Sequence, residues 1–229
     1  MITDDIKADI EKATVVLPEK DVLGVLVSGR MILTASHCLN FDYEKRACPA
    51  HECNYGIETV KTAEGKLLQV QLLAFEPIID IAVLGSYERR SWAIETSELL
   101  KDFWGFYTST KPVSGCRSDL EIGEKFPIYV YTCEGRWIRG SATPHFRRES
   151  LLSFQCDEPI MPGTSGGPIV NESGELVGIY SQSSTILESD ESNKDCPVVS
   201  GEEGIAPRPH LALPVWVCRE IFGPAEKEE

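Results

Sequence analysis

Met161-Pro162-Gly163-Thr164-Ser165-Gly166-Gly167-Pro168-Ile169-Val170 sets a serine between glycines, directly before an apolar run that reads as a buried strand. An acyl-transfer nucleophile requires this kind of setting. Its oxygen must be exposed on a tight turn, with backbone N–H groups aimed at the oxyanion that forms beside it. Gly163 permits a turn that most side chains forbid, and its N–H and that of Ser165 are the natural oxyanion donors. In isolation the stretch also reads as a Gly-Ser loop ahead of a strand, so its meaning rests on two others.

Those are Leu33-Thr34-Ala35-Ser36-His37-Cys38 and Ile78-Ile79-Asp80-Ile81-Ala82-Val83-Leu84, each placing one titratable residue in apolar, β-prone sequence. A histidine at a strand end can be a satisfied core residue. A carboxylate in the second run is harder to dismiss, because burying it alone costs several kcal/mol. Asp80 therefore needs a partner, and an imidazole N–H is a good one. The chain order His37, Asp80, Ser165 is that of the chymotrypsin-type triad, not of the subtilisin or α/β-hydrolase types.

On these residues the chain resembles a trypsin/chymotrypsin-fold serine peptidase. Leu33–Cys38 is similar to the family's Leu-Thr-Ala-Ala-His-Cys, Asp80–Leu84 to its Asp-Ile-Ala-Leu-Leu, and Gly163–Pro168 to its Gly-Asp-Ser-Gly-Gly-Pro. The resemblance runs from about Ala13 to about Phe222. It implies an all-β fold of two six-stranded antiparallel barrels with a short C-terminal helix. It also implies that Ser165 is the nucleophile, His37 the general base and then acid, and Asp80 the group orienting His37. Gly163 and Ser165 would form the oxyanion hole.

Length fits one peptidase domain over residues 1–229, with enough apolar sequence for a sizeable core. The net charge of −14 argues against nucleic acid or an anionic membrane as partner. Residues 1–12 carry Ile2, Ile6 and Ile10 at four-residue spacing and read as a short amphipathic helix, without the pattern of a signal peptide. No run is long enough to span a bilayer. The expected location is the cytoplasm.

The first barrel, residues 13–90, is read from strands at Ala13–Leu17, Gly24–Val27, Met31–Thr34, Thr59–Thr62, Lys66–Phe75 and Ile78–Leu84. Residues 91–111 form a long connection whose Trp92, Phe103, Trp104, Phe106 and Tyr107 are expected to pack the crossing between barrels. The second barrel, residues 112–215, is read from Phe126–Thr132, Trp137–Ala142, Leu151–Gln155, Pro168–Val170, Leu176–Ser181 and His210–Leu213. Asn171-Glu172-Ser173-Gly174 is a turn that also matches a glycosylation acceptor. Trp216–Phe222 reads as the C-terminal helix, and residues 224–229 as an acidic tail within the final 216–229 segment.

Departures from the digestive enzymes matter. Thr164 stands where they carry the Asp that receives a new N-terminus on activation, and no activation sequence lies near the start. The resemblance is closer to bacterial HtrA-like and related intracellular members. The eight cysteines do not follow the family's disulfide framework and are expected to be free thiols. Cys38, Cys48, His51 and Cys53 together have a composition that suits zinc, but not a common zinc spacing. No metal or cofactor is expected.

For specificity, the position six residues before Ser165 is Pro159, followed by Ile160, so the carboxylate that attracts Arg or Lys in trypsin is missing. Ser181-Gln182-Ser183 is the expected wall for substrate backbone, and His210 the expected far wall of the pocket. The acidic stretch over residues 185–204 reads first as a solvated loop, with selection of basic side chains as the alternative, whereas His210 would favour acidic ones. The expected activity is endopeptidase cleavage of a protein or peptide, with a regulatory partner protein to restrain it. A catalytically silent binding module and an esterase using the same residues are the alternatives.

Overall fold

The computed structural model describes residues 1–39, 57–76, 80–86, 94–116, 123–144, 152–182 and 210–214. The chain begins with α1 (Asp4–Ala13). Thr3 caps it by accepting the Ile6 N–H, Asp4 and Asp5 lie in the first turn, and Lys12 lies in the last. Each choice favours a helix, since acidic groups stabilise the N-terminal end and a base the C-terminal end. Ile10 on its inner face and Ile2 just before it are buried, and Ile6 packs beside them.

Six strands follow: β1 (Thr14–Leu17), β2 (Val22–Val27), β3 (Met31–Ala35), β4 (Ile57–Lys61), β5 (Leu67–Glu76) and β6 (Ile81–Gly85). They close into an antiparallel barrel in the order β1-β2-β3-β6-β5-β4. Six more, β7 (Phe126–Tyr131), β8 (Trp137–Pro144), β9 (Leu152–Cys156), β10 (Pro168–Val170), β11 (Leu176–Gln182) and β12 (His210–Pro214), close in the order β10-β11-β12-β9-β8-β7. Counted from each barrel's own first strand, the two orders are the same. The chain thus repeats a topology without repeating a sequence. The expectation of two six-stranded antiparallel barrels in a chymotrypsin-like fold holds.

Between the barrels the sequence reading expected only a connection. The structure has a helix there, α2 (Ile94–Ser109). Phe103, Phe106 and Tyr107 recur at helical spacing and join the first-barrel core, where Phe103 and Phe106 are buried. Trp104 turns outward and carries the Arg30 guanidinium 4.1 Å from its ring centre, a cation–π contact. Phe103, Phe106 and Tyr107 therefore pack on the first-barrel core, where the sequence reading expected them to pack the crossing between barrels. Trp92 and the expected C-terminal helix, Trp216–Phe222, lie outside the described residues.

The first core crosses the junction. Tyr129, Val170, Leu176 and Ile179 of the second barrel belong to the same buried cluster as Val25, Leu33 and Leu84. A second cluster around Ile128, Phe154 and Ile169 fills the other barrel. At Asn171 the turn reading is borne out locally. Its Oδ1 accepts the N–H groups of Ser173 and Glu175, each at 3.0 Å, and its amide donates to Glu175 Oε2 at 2.8 Å. Among the described residues, no helix is long and apolar enough to cross a membrane.

Candidate active site

β3 runs buried up to Ala35, then Ser36–Cys38 makes a single 3₁₀ turn. That turn lifts His37 out of the barrel, leaving its side chain 49% exposed. Lys20 holds the turn from outside by donating to the carbonyls of His37 at 2.9 Å and Leu39 at 3.2 Å. The neighbouring strand in the sheet, β6, starts at Ile81, and Asp80 sits just before it. Asp80 has φ +59, in the left-handed region that costs a non-glycine residue free energy. The Ser36 N–H donates to its carbonyl at 3.0 Å, tying this turn to the one that carries His37.

The Asp80 carboxylate is surrounded by donors. Oδ2 lies 2.8 Å from His37 Nδ1 and accepts Ser181 Oγ at 2.5 Å. Oδ1 accepts Ser36 Oγ at 2.8 Å and the His37 N–H at 3.0 Å. Burial alone would push Asp80 up, but the hydrogen bonds from His37 and Ser181 outweigh it and hold the carboxyl at about 2. In return, the Asp80 hydrogen bond, with a further contribution from Cys38, raises His37 to about 10. With Nδ1–H donated to Asp80, Nε2 is the ring nitrogen left outside that contact. It faces the Cys38 sulfur at 3.9 Å.

Ser165 stands on the turn ahead of β10, half-buried, and three backbone bonds fix its surroundings. Its own carbonyl accepts the Leu23 N–H at 2.8 Å, the Gly166 N–H donates to Tyr180 at 2.8 Å, and the Tyr180 N–H donates to Gly167 at 2.9 Å. The first of these joins the serine turn to β2 of the other barrel. Gly166 takes φ +81, and a Cβ there would overlap the Leu23 carbonyl and Thr34 Oγ1. Only glycine allows so close an approach. Thr34, three residues before His37, donates to the Leu23 carbonyl at 2.7 Å within the first barrel. Gly163 has φ +94.

The structure thus brings His37 and Asp80 into contact and places the Ser165 turn against β2 and β3 of the same barrel. No hydrogen bond joins His37 Nε2 to Ser165 Oγ. Such bonds are often long in a free enzyme and tighten when substrate binds.

The other expected residues are placed as follows. Ser181 is the extra residue of a bulge in the β11–β12 pairing, between Tyr180 and Gln182, and the bulge aims its hydroxyl at Asp80. Gln182 pairs with Leu211, and His210 opens β12 opposite Phe154. Pro159 is exposed, whereas Ile160 is buried in the second-barrel core. Ser183, the acidic loop at 185–204, and Cys48, His51 and Cys53 lie outside the described residues. Cys38, Cys116, Cys133 and Cys156 are free thiols. Burial, followed by the nearby Asp157 charge, pushes the Cys156 thiol up to about 12.

Sequence reasoning missed Ser36 and Ser181 as donors to Asp80. Ser36 had a signal, because a hydroxyl replaces the second Ala of Leu-Thr-Ala-Ala-His-Cys. Ser181 had none, since it lies 101 positions from Asp80.

Residues 23–179 match the family of the trypsin-like peptidase domain. Among solved structures, the serine endoprotease from Yersinia pestis is similar with a TM-score of 0.56. It is 16% identical, and the match covers 97% of this chain and 67% of that one. At that identity the likeness concerns the fold alone. A search of curated protein sequences finds no match.

Proposed function

The chain belongs to the trypsin-like peptidase domain family, and from that premise we propose that it is a serine endopeptidase working through an acyl-enzyme on Ser165. Ser165 Oγ attacks the scissile carbonyl while His37 Nε2 takes its proton. Asp80 holds the ring by Nδ1 and stabilises the imidazolium that forms. The N–H groups of Gly163 and Ser165 receive the oxyanion. His37 then protonates the leaving amine, and water repeats the sequence to release the acyl group. The observation that carries this reading is the 2.8 Å contact of His37 Nδ1 with Asp80 Oδ2. It leaves Nε2 as the proton acceptor, while the Leu23–Ser165 bond holds the serine turn against the same barrel.

The substrate is a protein or peptide. Closing the gap between Nε2 and Ser165 Oγ is the step that substrate, or a regulatory partner protein, would control. The free thiols support a reducing compartment such as the cytoplasm. Pro159, Ile160, Ser181, Gln182, Ser183 and His210 remain the proposed surroundings of the substrate. For Ser181 the bond to Asp80 supports a positioning role as well.

A fluorophosphonate probe tests the reading, because it labels only an activated serine. Wild type should label and cleave a peptide library. Ser165→Ala should do neither and should lose on the order of 10⁶ in turnover. His37→Ala should lose about as much, and the double variant little more, because the two act as one unit. An unlabelled wild type would favour the silent binding module. Labelling with cleavage of esters but not peptides would favour an esterase.

A further inference from the structure

Met161-Pro162-Gly163-Thr164 forms a β-turn, with the Thr164 N–H directed at the Met161 carbonyl at 3.4 Å. Proline at the second position and glycine at the third, with φ +94, match a type II turn. Types I and II differ by a flip of the central peptide, here the one joining Pro162 to Gly163. That peptide is planar and trans, so its C=O and N–H point to opposite sides. Whatever holds the Pro162 carbonyl also decides where the Gly163 N–H points.

The group holding it is Cys133, on the turn between β7 and β8. Its Sγ donates to the Pro162 carbonyl at 3.3 Å and lies 3.4 Å from where a Cβ on Gly163 would be. The Thr164 hydroxyl has two acceptors in reach, and one of them is Cys133 Sγ itself, at 3.5 Å. Thr164 Oγ1 donates to the Met161 carbonyl at 2.9 Å and accepts the Cys133 N–H at 3.4 Å. Thr164 is fully buried and uncharged. It stands where the digestive enzymes keep the carboxylate that an inserted N-terminus pairs with.

We infer that the Cys133 thiol is a positioning residue for the oxyanion hole, locking the Pro162–Gly163 peptide with its N–H turned toward the reacting carbonyl. The inference rests on the reading of Ser165 as nucleophile and of Gly163 N–H as an oxyanion donor. Cys133 touches no reacting atom and acts only through Pro162. A protein built this way needs no zymogen salt bridge, because the thiol and the Pro-Gly turn together favour the working orientation. Cys133 is only half-buried, so the lock is open to the solvent side.

The test compares wild type, Cys133→Ala and Cys133→Ser by fluorophosphonate labelling rate, by kcat and KM on a peptide, and by melting temperature. Losing a whole oxyanion donor costs about 10²–10³ in kcat. Losing only its orientation should cost less, about tenfold in kcat and labelling rate for Cys133→Ala, with KM within about twofold. Cys133→Ser keeps an O–H for the Pro162 carbonyl and should recover to within about threefold of wild type. A Cys133→Ala rate equal to wild type, or a Cys133→Ser rate as low as that of Cys133→Ala, overturns the inference. If wild type neither labels nor cleaves, it is the peptidase reading that fails. Crystals of wild type and Cys133→Ala then decide the lock separately. A Pro162 carbonyl facing residue 133 in wild type and turned away in the variant supports it, and one unchanged orientation overturns it.

Discussion

Asp80 and His37 form the most strongly perturbed pair described in the molecule, and the signs of their shifts set two expectations. His37, raised to about 10 from 6.5, stays imidazolium far above the usual range. As a general base it works only when neutral. Peptide cleavage should therefore fall on the acid side along a limb displaced upward from 6.5, and a flat profile from pH 5 to 8 would contradict the assignment. Cys38 contributes to the rise, so Cys38→Ala should move the acid limb to lower pH. The second expectation concerns stability. A raised His37 stabilises the fold below 6.5, and this is lost as pH climbs toward about 10. A lowered Asp80 stabilises it above 3.8, and this is lost as pH falls through about 2. The stability gap between wild type and Asp80→Asn should be widest between pH 4 and 6.5 and narrow on both sides, as read from denaturant midpoints across pH. The pairing of these two residues was legible in sequence from the cost of an unpaired Asp80. The hydroxyls of Ser36 and Ser181 were not, because each depends on a side-chain direction that only the packed turns define.

α1 acts as a strap across both barrels. Ile10 enters the first-barrel core, and both Ile6 and Ile10 reach Gly174 on the β10–β11 turn. Glu11 accepts the indole N–H of Trp137 on β8 at 2.8 Å, and Asp9 pairs with Lys111 at 3.0 Å. The apolar contacts should dominate, since exposed ion pairs contribute little. Ile10→Ala removes buried methyl groups from a site shared by two barrels and should cost about 3 kcal/mol. Lys111→Ala should cost under about 1 kcal/mol. Chemical denaturation of both variants checks the ranking, and equal losses would show that α1 is held by its charges instead. The four-residue spacing of Ile2, Ile6 and Ile10 announced this helix. α2 went unread because Gly105 and the Ser and Thr residues around it weaken the helical pattern. Its buried face is made by Phe103, Phe106 and Tyr107, which an all-β reading takes as a junction.

Across the whole molecule, the residue before Ser165 is where this chain differs from digestive enzymes. The Met1 side chain is 88% exposed, and its ammonium pairs with Glu172 at 3.2 Å on the surface. Thr164, buried beside Ser165, offers a hydroxyl already committed to Met161 and Cys133. Burying an ammonium there would leave its charge uncompensated, at a cost of several kcal/mol. Extending Met1 with a tag, or acetylating its amine, should leave the rate within a few-fold of the untreated protein. Burst kinetics on tagged and untagged samples measure this, and activity confined to one free N-terminus would refute it.

Local sequence determined the twelve strands, their turns and the three motifs, because alternation, Gly-Pro turn chemistry and a carboxylate in an apolar run act over a few residues. It also placed Gly163 in a turn directly before Ser165, since Pro-Gly favours the same turn type in any context. Tertiary structure alone decided what surrounds them. Ser181 reaches Asp80 through a bulge, Gly166 fits under Leu23 and Thr34 only when the barrels meet, and Cys133 comes to Pro162 from 29 positions away. These contacts join different strands and turns, and no short-range pattern specifies which side chain will arrive there. The physical reason is that each is a small polar or steric fit, fixed by how two closed barrels pack, whereas the strands follow from burial repeated residue by residue.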